Sequence, residues 1–113
     1  MIDLIARRFR MLGEPVRLRI LQALETGEQT VGQIVETLHG NQPNISRHLL
    51  ALHDAGITGR RQAGNSVFYS IADPVIVKVC RIVCQSAAIH AGGERAEVVN
   101  KRKEPQKTKP TFR

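Results

Sequence analysis

Hydrogen-bonding side chains cluster at the start of the segment 41–52, whose sequence is NQPNISRHLLAL. Asn41 is a residue type favoured at helix N-caps, and Pro43 falls in the first turn, where a missing N–H costs nothing. The polar side chains that follow are Gln42, Asn44, Ser46, Arg47 and His48, and the apolar ones are Ile45, Leu49, Leu50 and Leu52. One helix therefore combines an apolar stripe with a set of donors at its N-terminal end, as a helix entering a DNA major groove does.

The polar side chains of this helix suggest specific roles. Gln42, Asn44 and Ser46 suit hydrogen bonds to base edges or phosphates, whereas Arg47 and His48 suit phosphates and guanine. The alternative interpretation is a solvated first turn with no ligand. For His48, a packing or capping role is a further alternative.

A basic hairpin is predicted directly after this helix. Residues 57–62 and the alternating strand 66–71 flank a glycine-containing turn at 63–65. Arg60, Arg61 and Asn65 are expected to straddle the neighbouring phosphates or the minor groove. The alternative is an ordinary exposed basic hairpin.

Two cysteines, Cys80 and Cys84, are four positions apart on the predicted last helix, which puts both sulfurs on one face. Three interpretations stay open. The thiols pack a close helix–helix seam, or they form a redox or reactive-sulfur switch, or thiolates from two chains hold a soft metal or metalloid ion. No other cofactor is expected.

The elements that must position these residues can be read from caps and periodicity. Helices are predicted over residues 3–12, from Pro15 to a stop at 26–27, from the capping box of Thr30 and Gln33 to Leu38, and over 41–55. A last helix is predicted from Asp73-Pro74 to Ala91, closed by Gly92-Gly93. The order α-α-α-α-β-β-α is that of a mainly helical, winged helix-turn-helix fold with a small β-hairpin. Residues 1–91 form one predicted domain.

Composition narrows the class of function. The chain has 113 residues and a formal net charge of +7, which favours polyanionic partners. Residues 92–113 hold seven Lys/Arg against three Asp/Glu, contain Pro105 and Pro110, and are predicted to be a basic, disordered tail.

Other classes are not expected. No apolar run approaches the roughly 20 residues that span a bilayer. The charged residues within 1–12 argue against a signal peptide, so a cytoplasmic location with reduced cysteines is expected. No nucleophile elbow, phosphate loop or paired carboxylates are visible, so an enzyme is not expected.

Across about residues 10–90 the chain resembles the ArsR/SmtB family of bacterial repressors. The matching strings are LGEPVRLRIL at 12–21, QPNISRHL at 42–49, LHDAGI at 52–57, and the predicted wing from Arg60-Arg61 to Phe68-Tyr69. The resemblance implies a homodimer that pairs through its first and last helices, represses its operon at a pseudo-palindromic operator, and releases DNA when an effector binds. The alternative is a winged-helix module that binds an acidic protein without specific DNA binding.

The chain departs from the family at the known metal sites. Thr30 and Gly32 stand where arsenic and lead sensors have Cys-x-Cys. Asp73 matches the first ligand of the zinc and cobalt sensors, but Val75, Ser86 and Ile89 replace the others. The effector of this chain therefore stays open.

Overall fold

Five helices and three short strands follow one another along residues 1–95, the part of the chain that this computed structural model describes. The helices are α1 (Ile2–Leu12), α2 (Pro15–Leu24), α3 (Val31–Leu38), α4 (Gln42–Asp54) and α5 (Pro74–Arg95); the strands are β1 (Gln29–Thr30), β2 (Thr58–Ala63) and β3 (Ser66–Ile71). They divide into a unit of residues Met1–Pro74 and a second unit that begins at Val75. The predicted disordered tail comprises residues 92–113; of these, 92–95 belong to α5, and residues 96–113 lie outside the described residues.

The predicted helix starts are confirmed by their caps. The Asn41 side chain accepts a hydrogen bond from the backbone N–H of Asn44 at 2.9 Å. Thr30 and Gln33 form both bonds of the capping box, at 3.2 and 2.9 Å. These bonds satisfy N–H groups that the first turn of a helix leaves without an intrahelical partner.

The core of the first unit is built from aliphatic side chains of all its helices and one tyrosine. On α4 the buried side chains are Ile45, Leu49 and Leu52. Leu50, predicted to belong to the same apolar stripe, is 47% exposed, so that part of the prediction is wrong. The other buried members are Leu12, Ile20, Leu21, Leu24, Ile34, Ile57 and Tyr69. Because each such side chain contributes about 1.5–3 kcal/mol when fully buried, this core fixes which face of α4 is left outward.

A tight turn of residues 39–41 joins α3 to α4. His39 has a left-handed conformation, with φ of 54°, and its N–H and that of Gly40 both bond the carbonyl of Val35. A Cβ on Gly40 would lie 3.2 Å from Cδ1 of Ile45, which is tighter than ordinary contact. Glycine at 40 therefore lets the turn approach the buried face of α4.

The small sheet has one strand more than the sequence predicts. Its order is β1-β3-β2, all antiparallel, with Thr30 opposite Phe68 and Arg61 opposite Phe68 on the other side. Ala63 pairs with Ser66, so the hairpin loop is Gly64-Asn65, one residue shorter than the predicted turn. Gly64 has a φ of +63°, as a two-residue hairpin loop with glycine first requires.

Helix α5, described by itself, is longer than predicted. It runs to Arg95, so the predicted stop at Gly92-Gly93 is wrong. A glycine costs about 1 kcal/mol in a helix without forbidding it, and the first proline after this point is Pro105.

The composition of α5 also corrects the expectation about apolar runs. Its residues Pro74–Ala91 have a mean hydropathy of 1.3 and are, by length and composition only, long and apolar enough to cross a membrane. Only 11% of that window is buried, and its exposed side chains include Val75, Ile82, Val83 and Ile89. Exposed apolar surface on a helix is also typical of a site that another protein chain covers.

Candidate nucleic-acid interface

The first turns of α4 present the predicted polar cluster at the surface. Gln42 and Arg47 are exposed, and Asn44 and Ser46 are half-buried. Arg47 donates from Nη2 to Oδ1 of Asn44 at 2.9 Å, one turn back on the same helix. Within the part of the chain that the structure describes, no side-chain bond ties Gln42, Ser46 or Arg47 to another element. Their donors are therefore available to a ligand.

The structure places His48 differently from the rest of this cluster. Its side chain is only 15% exposed, its Nδ1 accepts a hydrogen bond from Nε of Arg17 at 3.1 Å, and its Nε2 lies 3.9 Å from Oε1 of Glu14. The imidazole therefore faces α2. This geometry matches the packing alternative for His48.

Arg17 connects three elements around that imidazole. Besides the bond to His48, its Nη1 lies 3.1 Å from the carbonyl oxygen of Met11 and 3.0 Å from Sδ of Met11, at the end of α1. Glu14 caps α2 by accepting from the N–H groups of Val16 and Arg17, at 2.8 and 3.3 Å. The orientation of α4 is thus tied to α1 and α2 by hydrogen bonds that local sequence patterns do not reveal.

The two wing arginines lie on opposite faces of the hairpin because they are adjacent on β2. Arg60 is opposite Tyr69, with its guanidinium carbon 5.9 Å from the ring centroid. Arg61 is opposite Phe68, at 4.8 Å. Asn65 is exposed in the loop. The hairpin therefore presents one cation on each face and an amide at its tip.

Arg61 has an acidic partner that the sequence does not predict. Its Nε lies 2.9 and 3.0 Å from the two carboxylate oxygens of Glu28, and its Nη2 lies 2.7 Å from Oε2. The hydrogen bonds from Arg61 hold the pKa of Glu28 below its ordinary value, and the same bonds raise the pKa of Arg61. Both groups therefore stay charged near neutral pH. Among the described residues Arg60 has no such carboxylate.

The predicted DNA-contacting residues all lie in the unit Met1–Pro74, whereas the two cysteines lie on α5. Cys80 is buried and Cys84 is half-buried. Within residues 1–91, no group of three or more His, Cys, Asp or Glu side chains is placed to hold a metal ion.

Comparison with known proteins gives one consistent result. A family model described as bacterial regulatory protein, arsR family, matches residues 14–57, which include α2, α3 and α4. The probable mercury resistance operon repressor of Streptomyces lividans is 37% identical over 89 residues, covering 79% of this chain and 71% of that protein. An uncharacterized HTH-type transcriptional regulator of Methanocaldococcus jannaschii is 39% identical over 79 residues, covering 69% and 89%.

A solved structure extends the comparison to the fold. The homodimeric winged helix-turn-helix DNA-binding domain of a possible ArsR-family regulator from Mycobacterium bovis matches with a TM-score of 0.71 and 30% identity. The match covers 79% of this chain and 82% of that one.

Proposed function

This chain belongs to the arsR family of bacterial regulatory proteins, and on that premise we propose that it is a dimeric transcriptional repressor in the cytoplasm. It binds duplex DNA at a pseudo-palindromic operator. Two copies of α4 enter successive major grooves, with half-sites about 34–36 Å apart.

One observation carries this proposal: apart from His48, the polar side chains of the first turns of α4 bond no other element among the described residues, while the apolar side of the helix is fully buried. Gln42, Asn44, Ser46 and Arg47 are the proposed contacts to base edges and phosphates. Ile45, Leu49 and Leu52 hold the helix from behind. His48 positions α4 through Arg17 instead of contacting DNA.

The wing adds contacts outside the major groove. Arg60 and Asn65 are the proposed wing contacts to phosphates or to the minor groove. Arg61, although predicted with them, is engaged by the carboxylate of Glu28.

Dimerisation accounts for apolar side chains that the single chain leaves exposed. On α1 these are Ile2, Leu4, Ile5 and Phe9, and on α5 they are Val75, Ile82, Val83 and Ile89. Each helix thus carries apolar surface that a second copy would cover, which removes it from water. The homodimeric relative from Mycobacterium bovis supports the formation of a dimer. The same pairing explains an apolar α5 without a membrane.

The effector of this repressor is proposed to act through Cys80 and Cys84, as a soft metal ion, an oxidant or a reactive sulfur species. The Streptomyces lividans relative, a probable repressor of mercury resistance, makes Hg(II) the first inducer to test, followed by As(III), Cu(I), peroxide and polysulfide. A double variant, Cys80→Ser with Cys84→Ser, decides the question. If it responds to every inducer like the parent, both cysteines are packing residues.

The proposed function is tested by incubating the purified protein with sheared genomic DNA at increasing salt. A repressor enriches one fragment, with affinity about 10³-fold or more above random DNA and a steep decline with salt. Sedimentation of the same sample gives the oligomeric state. A monomer, or equal affinity for every fragment, contradicts the proposal and favours the alternative of a winged-helix module for an acidic protein.

A further inference from the structure

Glu28, which precedes β1, and Arg61 of β2 form an ion pair beside the sheet. Three N–H···O distances of 2.7–3.0 Å join the two groups, and the guanidinium also lies over the Phe68 ring. The side chains are nevertheless 35% and 58% exposed, for Glu28 and Arg61 respectively. The pair is therefore well defined and within reach of a ligand from solvent.

Arg61 and Glu28 come from opposite edges of the sheet, and the Arg61 side chain crosses the strand between them. Glu28 directly precedes β1, and the order β1-β3-β2 puts β3 between the two. Phe68, on β3, is the register partner of both Thr30 and Arg61. Arg61 thus lies across the sheet face over Phe68 and ends at Glu28.

The chemistry of this contact is that of a phosphate contact. A carboxylate on Nε and Nη2 uses the same fork of donors that binds phosphate oxygens in a bidentate manner. It also neutralises the charge that draws a guanidinium to DNA. A phosphate that binds the Nε and Nη2 edge of Arg61 must displace Glu28, and one that binds elsewhere on this guanidinium meets a charge that Glu28 already neutralises. A phosphate approaching Arg60 meets no carboxylate among the described residues.

We infer that Glu28 is an affinity-determining residue: its carboxylate occupies Arg61 and withholds it from the DNA backbone. The inference rests on the proposed function, since it concerns the same wing. Arg60 is then the arginine of this hairpin that contacts the DNA phosphates, and Arg61 is not a direct phosphate contact. Because phosphate contacts carry no sequence information, Glu28 lowers the affinity for arbitrary DNA.

The test compares Glu28→Gln, Arg61→Gln and the double variant with the parent. The probes are a random-sequence duplex and a heparin column. Glu28→Gln is expected to bind the duplex about three- to fivefold more tightly at low salt, with a salt slope steeper by about 0.9 for each phosphate that an added Arg61 contacts. Arg61→Gln alone is expected to stay within about twofold of the parent, because its cation is already occupied. The double variant should not show the gain of Glu28→Gln, because it has no Arg61 to release.

Two controls keep the outcome interpretable. Glu36→Gln, on the exposed surface of α3, removes the same charge outside the wing and should leave the affinity within about twofold. Glu28→Ala removes the residual hydrogen bond that a glutamine side chain can still offer Arg61, and should tighten binding at least as much as Glu28→Gln. Equal thermal midpoints for all variants show that the fold is intact.

The inference is overturned if Glu28→Gln weakens duplex binding, which would make Glu28 a support for Arg61. It is also overturned if Arg61→Gln costs tenfold or more, or if Glu36→Gln has the same effect as Glu28→Gln. Heparin elution reports on polyanion binding alone. If the parent enriches no genomic fragment yet Glu28→Gln elutes later than the parent, the repressor proposal fails and the role of Glu28 stands.

Discussion

The start of α4 and the hairpin β2–β3 both present cationic side chains, but the protein holds them in different ways. Arg47 has one hydrogen bond among the described residues, to Asn44 of its own helix. Arg61 is held by the carboxylate of Glu28, 33 positions away, and lies over an aromatic ring. Residue type alone would rank the two arginines as equals. Because of these surroundings, Arg47 keeps most of its N–H donors for a ligand, whereas Arg61 already donates to a carboxylate.

This difference shows what a DNA-binding surface gains from partners within the chain. A cationic side chain without an acidic partner contributes the full free energy of its attraction to DNA. For a side chain that is already paired, the free energy of breaking the pair is subtracted from that contribution. Under the proposed function, Arg60 of the hairpin binds DNA, whereas Arg61 pairs with Glu28 beside the sheet. Four predictions test which of these side chains bind DNA and which support the structure.

The largest effect is expected from Ser46→Ala combined with Arg47→Ala. Removing these donors from both protomers should weaken operator binding by about 100-fold or more, since each base-edge or charged interaction is worth about 1–3 kcal/mol. A gel shift measures the change, and sedimentation should show an unchanged dimer. Undiminished retention of the operator would remove α4 from the interface.

A tenfold effect is expected from Arg60→Gln, whose guanidinium faces no carboxylate among the described residues. Operator affinity should fall by about tenfold, and the salt slope should become shallower by about 0.9 for each phosphate that the variant no longer binds. Fluorescence anisotropy at several salt concentrations measures both. Arg61→Gln serves as the matched control on the other face of the hairpin, and an equal decrease for the two variants would mean that both arginines bind DNA alike.

A smaller effect is expected from His48→Ala, which removes the acceptor for Arg17. The free energy of unfolding should fall by about 1 kcal/mol, the usual net value of one hydrogen bond, and DNA affinity should fall by about threefold through misplacement of α4. His48→Asn keeps an acceptor near the position of Nδ1 and should restore both properties. If the asparagine variant binds DNA as poorly as the alanine variant while its stability recovers, His48 contacts DNA directly.

The smallest effect concerns pH. Since the folded protein holds the pKa of Glu28 below its ordinary value, the ion pair stabilises the fold above the unfolded pKa and loses this contribution as pH falls through the folded pKa. The affinity ratio between Glu28→Gln and the parent should therefore be constant between about pH 6 and 8. A carboxyl carbon NMR titration of Glu28 should show the lowered pKa in the parent and an ordinary one in Arg61→Gln. An ordinary value in both would mean that the pair does not form in solution.

Much of the fold follows from local sequence signals. Helix starts can be predicted at Thr30 with Gln33 and at Asn41, because each capping bond joins residues only three positions apart. The predicted bounds of α1 to α4 agree with the structure to within a residue or two. The predicted hairpin is confirmed for the same reason. Strand β1 is not predicted, because two residues carry no alternation.

The contacts that distinguish one arginine from another could not be predicted in this way. Arg17 and His48 are 31 positions apart, and Glu28 and Arg61 are 33 apart. Neither pair has a spacing that defines a motif, because only the packed core brings the partners together. The choice between contacting DNA and supporting the structure, for His48 and Arg61, therefore depends on tertiary structure.

The position of Arg17 has a mechanical consequence. The guanidinium of Arg17 donates hydrogen bonds both to Met11, in the last turn of α1, and to the imidazole of His48 on α4. If α1 shifts relative to α4, at least one of these two bonds must lengthen or break. A change in the position of α1 would therefore alter or break bonds that Arg17 makes to α1 or to the helix carrying Ser46 and Arg47.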